Sequence, residues 1–79
     1  MRITSPLVGT VYLAPAKDKP DFVKIGAAVK KGDTVCMIES MKMLNDIYAD
    51  CDGTVEKICV ANGDLIEFGQ TIVIIKPKS

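Results

Sequence analysis

The sequence predicts an all-β domain, arranged as a sandwich or flattened barrel. Short segments rich in Val, Ile, Thr and Tyr alternate with Gly, Asp, Asn and Pro every several residues, which is typical of short strands joined by turns. No window sustains a helical periodicity for long enough to compete with this pattern. Many short strands with regular turns favour two layers whose alternating residues face a shared core.

Three turn signals separate the predicted strands. Asn62-Gly63 favours a tight turn because both residues tolerate a positive φ, and Asp52-Gly53 and Lys31-Gly32-Asp33 mark further reversals. The predicted strands are residues 2–5, 8–13, 23–25, 28–30, 34–40, 43–49, 54–60, 64–67 and 71–76. The predicted core contains Ile38, Ile47, Val55, Ile58, Ile66, Ile72 and Ile74.

The chain contains an internal repeat. Residues 26–38 match residues 63–75 at an offset of 37, whereas the Gly-Thr-Val segment at 9–11 matches 53–55 at an offset of 44. Seven additional residues therefore lie in the first half, and residues 14–21 are the obvious insertion. Two copies are too few for a solenoid, so we expect the two halves to close on each other as one domain spanning residues 1–79.

Two glycines, six residues apart, recur in each copy of the repeat. Their spacing does not match the loops that cradle phosphates, and no helix is predicted to follow them. We therefore expect paired turn conformations at these positions, in which a Cβ atom would be strained if φ is positive. The pairs are Gly26 with Gly63 and Gly32 with Gly69.

Composition excludes several classes of function. The formal net charge is zero, with 10 basic and 10 acidic residues, and only four aromatic residues are present, so we do not expect nucleic-acid binding. The apolar runs have the length of strands and are too short to span a membrane. The chain has no histidine and no assembled acid–base or nucleophile constellation.

The three cysteines predict free thiols in a reducing compartment. Their number is odd and their spacing is not that of metal ligands. Cys36 and Cys59 interrupt apolar runs, where cysteine commonly behaves as a small buried hydrophobe, and Cys51 lies between two aspartates in a predicted turn. A cytoplasmic location is therefore expected.

The segment Glu39-Ser40-Met41-Lys42-Met43 is the candidate functional site. It joins two predicted strands by so short a link that Lys42 falls at the tip of a hairpin. A solvated lysine amine is mostly protonated at neutral pH and is a poor nucleophile. Lys42 is therefore expected to be the substrate of another enzyme, and two flexible, polarizable methionines beside it suit a surface that adapts to a partner.

This segment is similar to the Glu-Ala-Met-Lys-Met motif of biotinyl domains in biotin carboxyl carrier proteins, with Ser40 in the alanine position. The resemblance covers essentially the whole chain. It implies a flattened β-barrel of two four-stranded antiparallel sheets and biotin joined by an amide to Lys42. It also implies that Met41 and Met43 contribute to recognition, within a motif that begins with Glu39 and Ser40.

The inserted segment carries a second part of the resemblance. Residues 14–21 coincide with the "thumb" of carriers that serve multisubunit acetyl-CoA carboxylase. Thumbs in this family often present hydroxyl side chains to the biotin, whereas this segment has Ala14 and Ala16. Its prolines and charged residues predict a position on the surface.

The resemblance further implies a carrier cycle. A biotin protein ligase would attach biotin to Lys42, a biotin carboxylase would carboxylate it, and a carboxyltransferase would use it to form malonyl-CoA for fatty acid biosynthesis. The chain would then be a non-catalytic carrier subunit, in the cytoplasm or in the plastid stroma. Neither nucleic acid nor membrane is expected as a partner.

Three alternatives remain open at this point. A lipoyl carrier of a 2-oxo acid dehydrogenase shares the expected fold and the hairpin lysine, but lipoyl domains usually lack the two flanking methionines. A carrier domain of another biotin-dependent carboxylase is a closer alternative. The last is an unmodified β-sandwich interaction module, which an intact-mass measurement would distinguish.

Overall fold

The computed structural model describes residues 1–78, and this part of the chain forms eight β-strands and no helix. The strands are β1 (Arg2–Thr4), β2 (Gly9–Tyr12), β3 (Ala28–Val29), β4 (Thr34–Ser40), β5 (Met43–Tyr48), β6 (Gly53–Ile58), β7 (Leu65–Ile66) and β8 (Thr71–Pro77). The all-β prediction is confirmed. Among the described residues there is accordingly no helix that could cross a membrane.

Two four-stranded sheets form a sandwich, and every neighbouring pair of strands is antiparallel. The first sheet has the order β1-β8-β6-β3, and the second has the order β5-β4-β2-β7. The predicted sandwich of two four-stranded sheets is therefore confirmed, and the two sheets stay separate instead of closing into a barrel.

Each sheet combines strands from both halves of the repeat. In the first sheet, β1 and β3 come from the first half and β8 and β6 from the second; the second sheet has the reverse arrangement. Neither half can complete a sheet alone, because each strand of one half needs hydrogen bonds from the other. This interlocking explains why two copies suffice for a closed core.

The paired glycines adopt the paired conformations that the repeat predicts. The φ angle is +91° at Gly26 and +89° at Gly63, and it is +94° at Gly32 and +82° at Gly69. A side chain in this left-handed region is strained, whereas glycine is not. The four glycines are therefore turn residues of the duplicated fold.

Hydrogen bonds at these turns repeat as well. The Gly26 amide donates to the Val55 carbonyl at 2.8 Å, and the Gly63 amide donates to the Val11 carbonyl at 2.7 Å. Each bond fastens a turn of one half to a strand of the other half. Equivalent positions in the two copies of the sequence repeat therefore form equivalent backbone hydrogen bonds.

The core differs from the predicted one at Ile58 and Ile74, which are only half-buried, whereas the other five predicted core residues are buried. Ile58 packs against the core and is only partly buried there, whereas the reason for Ile74 is a β-bulge in β8. Pairing with β1 joins Ile3 to Val73 and then passes over Ile72 to Thr71. Ile72 and Val73 therefore both lie in the core, and strict alternation of inward and outward residues fails.

The same irregularity occurs in β4. Pairing with β5 passes over Val35, and both Val35 and Cys36 are fully buried. Val35 and Ile72 are 37 residues apart, which is the offset of the repeat. Both long central strands therefore use an equivalent bulge to place two successive side chains in the core.

Two other sequence predictions were wrong. Residues 23–25 form no strand; Val23 is buried, but Ile25 is 67% exposed beside the turn at Gly26. Cys59 is exposed and not a core residue. Pairing of β6 with β8 passes over Glu56, so the alternation that begins at Val55 changes phase before Cys59.

Residues 14–21 leave the sandwich as a separate loop without strand structure, and residues 15–21 are all exposed. The loop is closed at its base, where the Phe22 amide donates to the Leu13 carbonyl at 2.8 Å. The Leu13 amide in turn donates to Asn62 Oδ1 at 2.7 Å. Because Leu13 and Val23 on either side are buried, the base of this loop is anchored while its body is not.

Candidate functional site

Lys42 lies in the turn of the hairpin formed by β4 and β5. Ser40 and Met43 are paired directly, so Met41 and Lys42 are the two residues of the turn. Their φ angles are +52° and +66°. Positive φ at both central residues is the signature of a type I′ turn, which matches the twist of the flanking strands.

The turn is unusual in its residues. Asn-Gly and Asp-Gly are the usual choices for this geometry because they tolerate the left-handed region. Met41 and Lys42 are the only non-glycine residues with positive φ among residues 1–78, and each such residue costs on the order of 1 kcal/mol. The identity of this pair is therefore not explained by the stability of the turn.

The side chains around Lys42 are open to solvent. Met41 is 92% exposed and Met43 is 66% exposed, as the sequence predicted, and Lys42 and Glu39 are exposed as well. Ser40 is half-buried at the end of β4. A large active site could therefore enclose Lys42 without unfolding either strand.

Behind the tip, β2 packs closely on β4. A Cβ atom at Gly9 would lie only 2.3 Å from the Glu39 carbonyl oxygen, so only glycine permits the two backbones to approach here. Asn45 Nδ2 donates to the Ile38 carbonyl at 3.2 Å across the hairpin. Close packing on β2 and a hydrogen bond from β5 therefore hold the strand that leads to Lys42.

A groove of about 660 Å³ lies between the loop at 14–21 and the outer face of the second sheet. The sheet contributes Tyr12, Met37, Glu39 and Leu44 to its wall. Leu44 is two residues beyond Lys42, so the groove extends along the hairpin toward the turn. The loop contributes Ala14, Pro15, Ala16, Lys17, Lys19 and Asp21, and Asn62 completes the lining.

A hydrogen bond between two strands forms part of the polar wall of the groove. The Tyr12 hydroxyl donates to Glu39 Oε1 at 3.3 Å. The negative charge of Glu39, followed by desolvation and this hydrogen bond, raises the pKa of Tyr12 above its ordinary value. Tyr12 therefore remains a neutral hydrogen-bond donor at physiological pH.

Sequence reasoning identified the lysine hairpin but missed the groove wall. Tyr12 and Met37 are direct partners across β2 and β4, yet they are separated by a loop and a strand along the chain. Their membership of one face could have been deduced only from the register of β2 on β4. Alternation along each strand predicts which face of the sheet a side chain lies on, but it does not predict which residues of the neighbouring strand lie beside it.

Cys36 is a buried free thiol. Burial raises the pKa of the Cys36 thiol to about 12, so it stays protonated and unreactive. Within residues 1–78 no group of three or more His, Cys, Asp or Glu side chains could hold a metal ion. The arrangement exposes the side chain of Lys42 at the tip of the hairpin, beside the groove.

A comparison with models of protein families shows to which family the chain belongs. The biotin/lipoyl family model described as "Biotin-requiring enzyme" matches residues 1–75 of the 79. The chain belongs to this family. The match includes both halves of the repeat up to the end of the core and places the hairpin lysine well inside the shared domain.

Curated relatives agree with this result. The chain is 54% identical over 74 residues to the biotin carboxyl carrier protein of acetyl-CoA carboxylase from Streptococcus pyogenes, and the match covers 94% of this chain and 45% of the relative. The protein of that name from a Nostoc species is 47% identical over 75 residues, which cover 95% of this chain and 41% of the relative. The chain therefore spans less than half the length of these relatives.

A solved structure has a similar fold. A single-chain, multi-domain long-chain acyl-CoA carboxylase superposes with a TM-score of 0.84 over 99% of this chain, which is 7% of that much larger protein. The identity is 19%, so this likeness concerns the fold alone. Within that enzyme, the same sandwich is a small unit of a large chain.

Proposed function

We propose that this member of the family is a biotin carboxyl carrier domain and that Lys42 carries the biotin through an amide bond. The observation that carries the proposal is the position of Lys42, exposed between Met41 and Met43 in the two-residue turn of the hairpin. The relatives named as biotin carboxyl carrier proteins support biotin over lipoic acid as the group attached.

The proposed cycle has three partners. A biotin protein ligase forms the amide on Lys42, a biotin carboxylase subunit carboxylates the ring, and carboxyltransferase subunits transfer the carboxyl group to acetyl-CoA to give malonyl-CoA. The domain itself performs no catalysis in this scheme; it keeps the tethered ring at a high effective concentration near both active sites. A net charge of zero suits a carrier that leaves each partner after each turnover.

In the proposed carrier the loop at 14–21 is the thumb. The biotin ring occupies the groove beneath this loop when it is not in the active site of a partner enzyme. The groove is continuous with the hairpin through Leu44 and is partly apolar, with the Tyr12 hydroxyl and Glu39 as polar groups in its wall. Ala14 and Ala16 have no hydroxyl to offer, so side-chain hydrogen bonds from those two positions are excluded in this chain.

The proposed compartment is the cytoplasm, or the plastid stroma in a plastid-bearing organism. All three cysteines are free, and Cys59 is exposed. Unpaired thiols of this kind suit a reducing environment. This placement also agrees with the malonyl-CoA chemistry proposed for the partners.

The decisive experiment is intact-mass analysis after incubation with biotin, ATP and a biotin protein ligase. We expect one biotin adduct, mapped by peptide sequencing to Lys42, and none in Lys42→Arg. Lys31→Arg is the matched control, since Lys31 is also an exposed turn lysine, and it should be modified like the unsubstituted chain. A lipoyl adduct with a lipoate ligase but no biotin adduct, or biotin on Lys30, Lys31 or Lys57, would overturn the proposal.

A further inference from the structure

A second groove, of about 470 Å³, lies on the outer face of the first sheet, over the start of β6 and the end of β8. Thr54 in β6 pairs with Ala28 in β3 on one side and with Lys76 in β8 on the other, and all three residues are exposed. The small side chains over β3 and β6 leave an open channel across the sheet. This groove shares no residue with the one beneath the loop at 14–21.

The wall of the second groove is mainly cationic. Lys30, Lys76 and Lys78 all line it, and all three are exposed. Asp52 is the one acidic residue in the described lining, and its Oδ1 atom already accepts a hydrogen bond from the Lys31 amide at 2.8 Å. The groove, named here the basic groove, therefore favours a ligand that carries negative charge.

The internal repeat shows that the fold does not require these lysines. Lys30 corresponds to Glu67 and Lys76 corresponds to Glu39 at the offset of 37. Both acidic counterparts are exposed, at equivalent places within or next to strands of the second sheet. Because the same backbone accepts either charge, the stability of the strands does not explain why lysine occurs in the basic groove.

The basic groove lies at the end of the domain opposite Lys42. The Lys78 amide donates to the Asp52 carbonyl at 2.9 Å, and the Lys31 amide reaches the carboxylate of the same residue. Lys31 lies shortly before β4, whereas Lys42 follows the other end of this strand. The seven residues of β4 span about 20 Å, so a molecule bound in the basic groove leaves the lysine turn free.

We propose, independently of any group attached to Lys42, that the basic groove binds an extended acidic segment of a partner protein. The ammonium groups of Lys30, Lys76 and Lys78 pair with Asp or Glu carboxylates of the segment, and the hydroxyl of Thr54 offers a hydrogen bond from the floor. Complementary charge gives such a contact its specificity. The contact attaches the domain to a partner while Lys42 stays accessible to other proteins.

The charge pattern favours a protein segment over nucleic acid or an anionic membrane. Asp52 lies in the wall of the groove, and Asp33 lies beside it, where its Oδ2 atom accepts a hydrogen bond from the Lys30 amide at 2.9 Å. Closely spaced phosphates would be repelled by these two carboxylates, whereas a peptide can place its acidic side chains opposite the lysines alone. The net charge of zero also gives the domain little attraction for a polyanion at long range.

Fluorescence anisotropy with a labelled pentaglutamate peptide tests the proposal. Lys30→Glu and Lys76→Glu each install the residue found at the counterpart position, so both variants should fold, and thermal unfolding checks this. We expect each variant to raise the Kd of the peptide by about fivefold or more, and salt should weaken binding to the unsubstituted chain. In nuclear magnetic resonance spectra, the amides of Ala28, Gly53 and Thr54 should shift as the peptide is added.

Lys24→Glu is the matched control. It changes the net charge by the same amount at an exposed residue that does not line the basic groove, and it should change the Kd by less than about twofold. An equal loss of affinity in Lys24→Glu would show that net charge governs binding and that the basic groove is not the site.

Three further outcomes would overturn the proposal. The first is a pentaglutamate peptide that does not bind the unsubstituted chain at low salt. The second is tighter binding of a single-stranded oligothymidylate than of the peptide, lost in the same two variants, which would make the groove a nucleic-acid site. The third is the same result with phosphatidylserine vesicles, which would make it a membrane site. The assay contains no biotin, so its result is independent of the proposed carrier function.

Discussion

Tyr12 donates a hydrogen bond to Glu39, the residue three positions before Lys42. The bond joins β2 to β4 on the outer face of the second sheet, and both side chains line the groove beneath the loop at 14–21. The groove and the lysine hairpin are therefore one structural unit, because Glu39 belongs to both.

The first prediction concerns the titration of Tyr12. In a Tyr48→Phe background Tyr12 is the only tyrosine, and its absorbance should titrate above the ordinary value of 10.0 because the charge of Glu39 opposes ionisation. Glu39→Gln should lower the midpoint, whereas Glu67→Gln should not. Since the pKa is raised on folding, the stabilisation from Tyr12 is present below pH 10.0 and is lost as pH rises through the folded-state pKa. An unchanged midpoint in Glu39→Gln would contradict the assignment.

The second prediction separates the exposed methionines from the core. Met41→Leu and Met43→Leu should change the free energy of unfolding by less than about 0.5 kcal/mol, because both side chains are exposed. Ile38→Ala, at a fully buried position of the same hairpin, should cost about 2–5 kcal/mol. Urea titrations measure both. The methionine variants should instead slow processing by the partner enzymes, and a loss of several kcal/mol at either methionine would place it in the core.

The third prediction concerns the strain in the lysine turn. Met41→Asn and Lys42→Gly should each stabilise the fold by about 0.5–1 kcal/mol, because Asn and Gly tolerate the positive φ of these positions. Lys42→Gly should also abolish modification. As the reverse control, Gly63→Ala should destabilise by about 1 kcal/mol through φ alone, since no atom lies within 4 Å of the added Cβ. Thermal unfolding of the three variants provides the measurement, and a destabilised Lys42→Gly would show that the turn is not strained.

Much of the fold could be predicted from residues that are close together in the sequence. Gly26 and Gly63 were identified as paired turns because the offset of the repeat can be read from the sequence, and φ confirms the pairing. The hairpin at Lys42 was predictable because the segment between two strand patterns is too short for anything except a tight turn. These features depend on neighbours in sequence.

The errors depend on pairing across the molecule. The bulge at Ile72 turns two successive side chains inward and moves Ile74 toward the surface. A pattern of strictly alternating inward and outward residues does not predict this bulge. The groove depends on Tyr12 meeting Glu39, 27 residues away. Contacts of this kind follow from sheet register, which the sequence pattern alone does not specify.

The last prediction tests the loop at 14–21 as a functional thumb. Its base is closed by the hydrogen bond from the Phe22 amide to the Leu13 carbonyl. Replacing residues 14–21 by Asn-Gly would make Leu13 and Phe22 the first and fourth residues of a tight turn joined by that same bond. The deletion should therefore leave the sandwich intact, since residues 15–21 are exposed and contribute nothing to the core.

For that variant we expect thermal unfolding and biotinylation of Lys42 to be close to those of the full chain, because neither β4 nor β5 is touched. Coupled malonyl-CoA formation with the partner subunits should fall, because the groove that the loop forms with Glu39 and Leu44 is lost. A length-matched control, Asp18→Asn, keeps the loop, removes the charge of an exposed residue that does not line the groove, and should retain turnover. Full carboxylase activity after the deletion would show that residues 14–21 are a tolerated insertion with no part in the cycle, whereas a loss of activity confined to the deletion assigns the groove to the carrier's function.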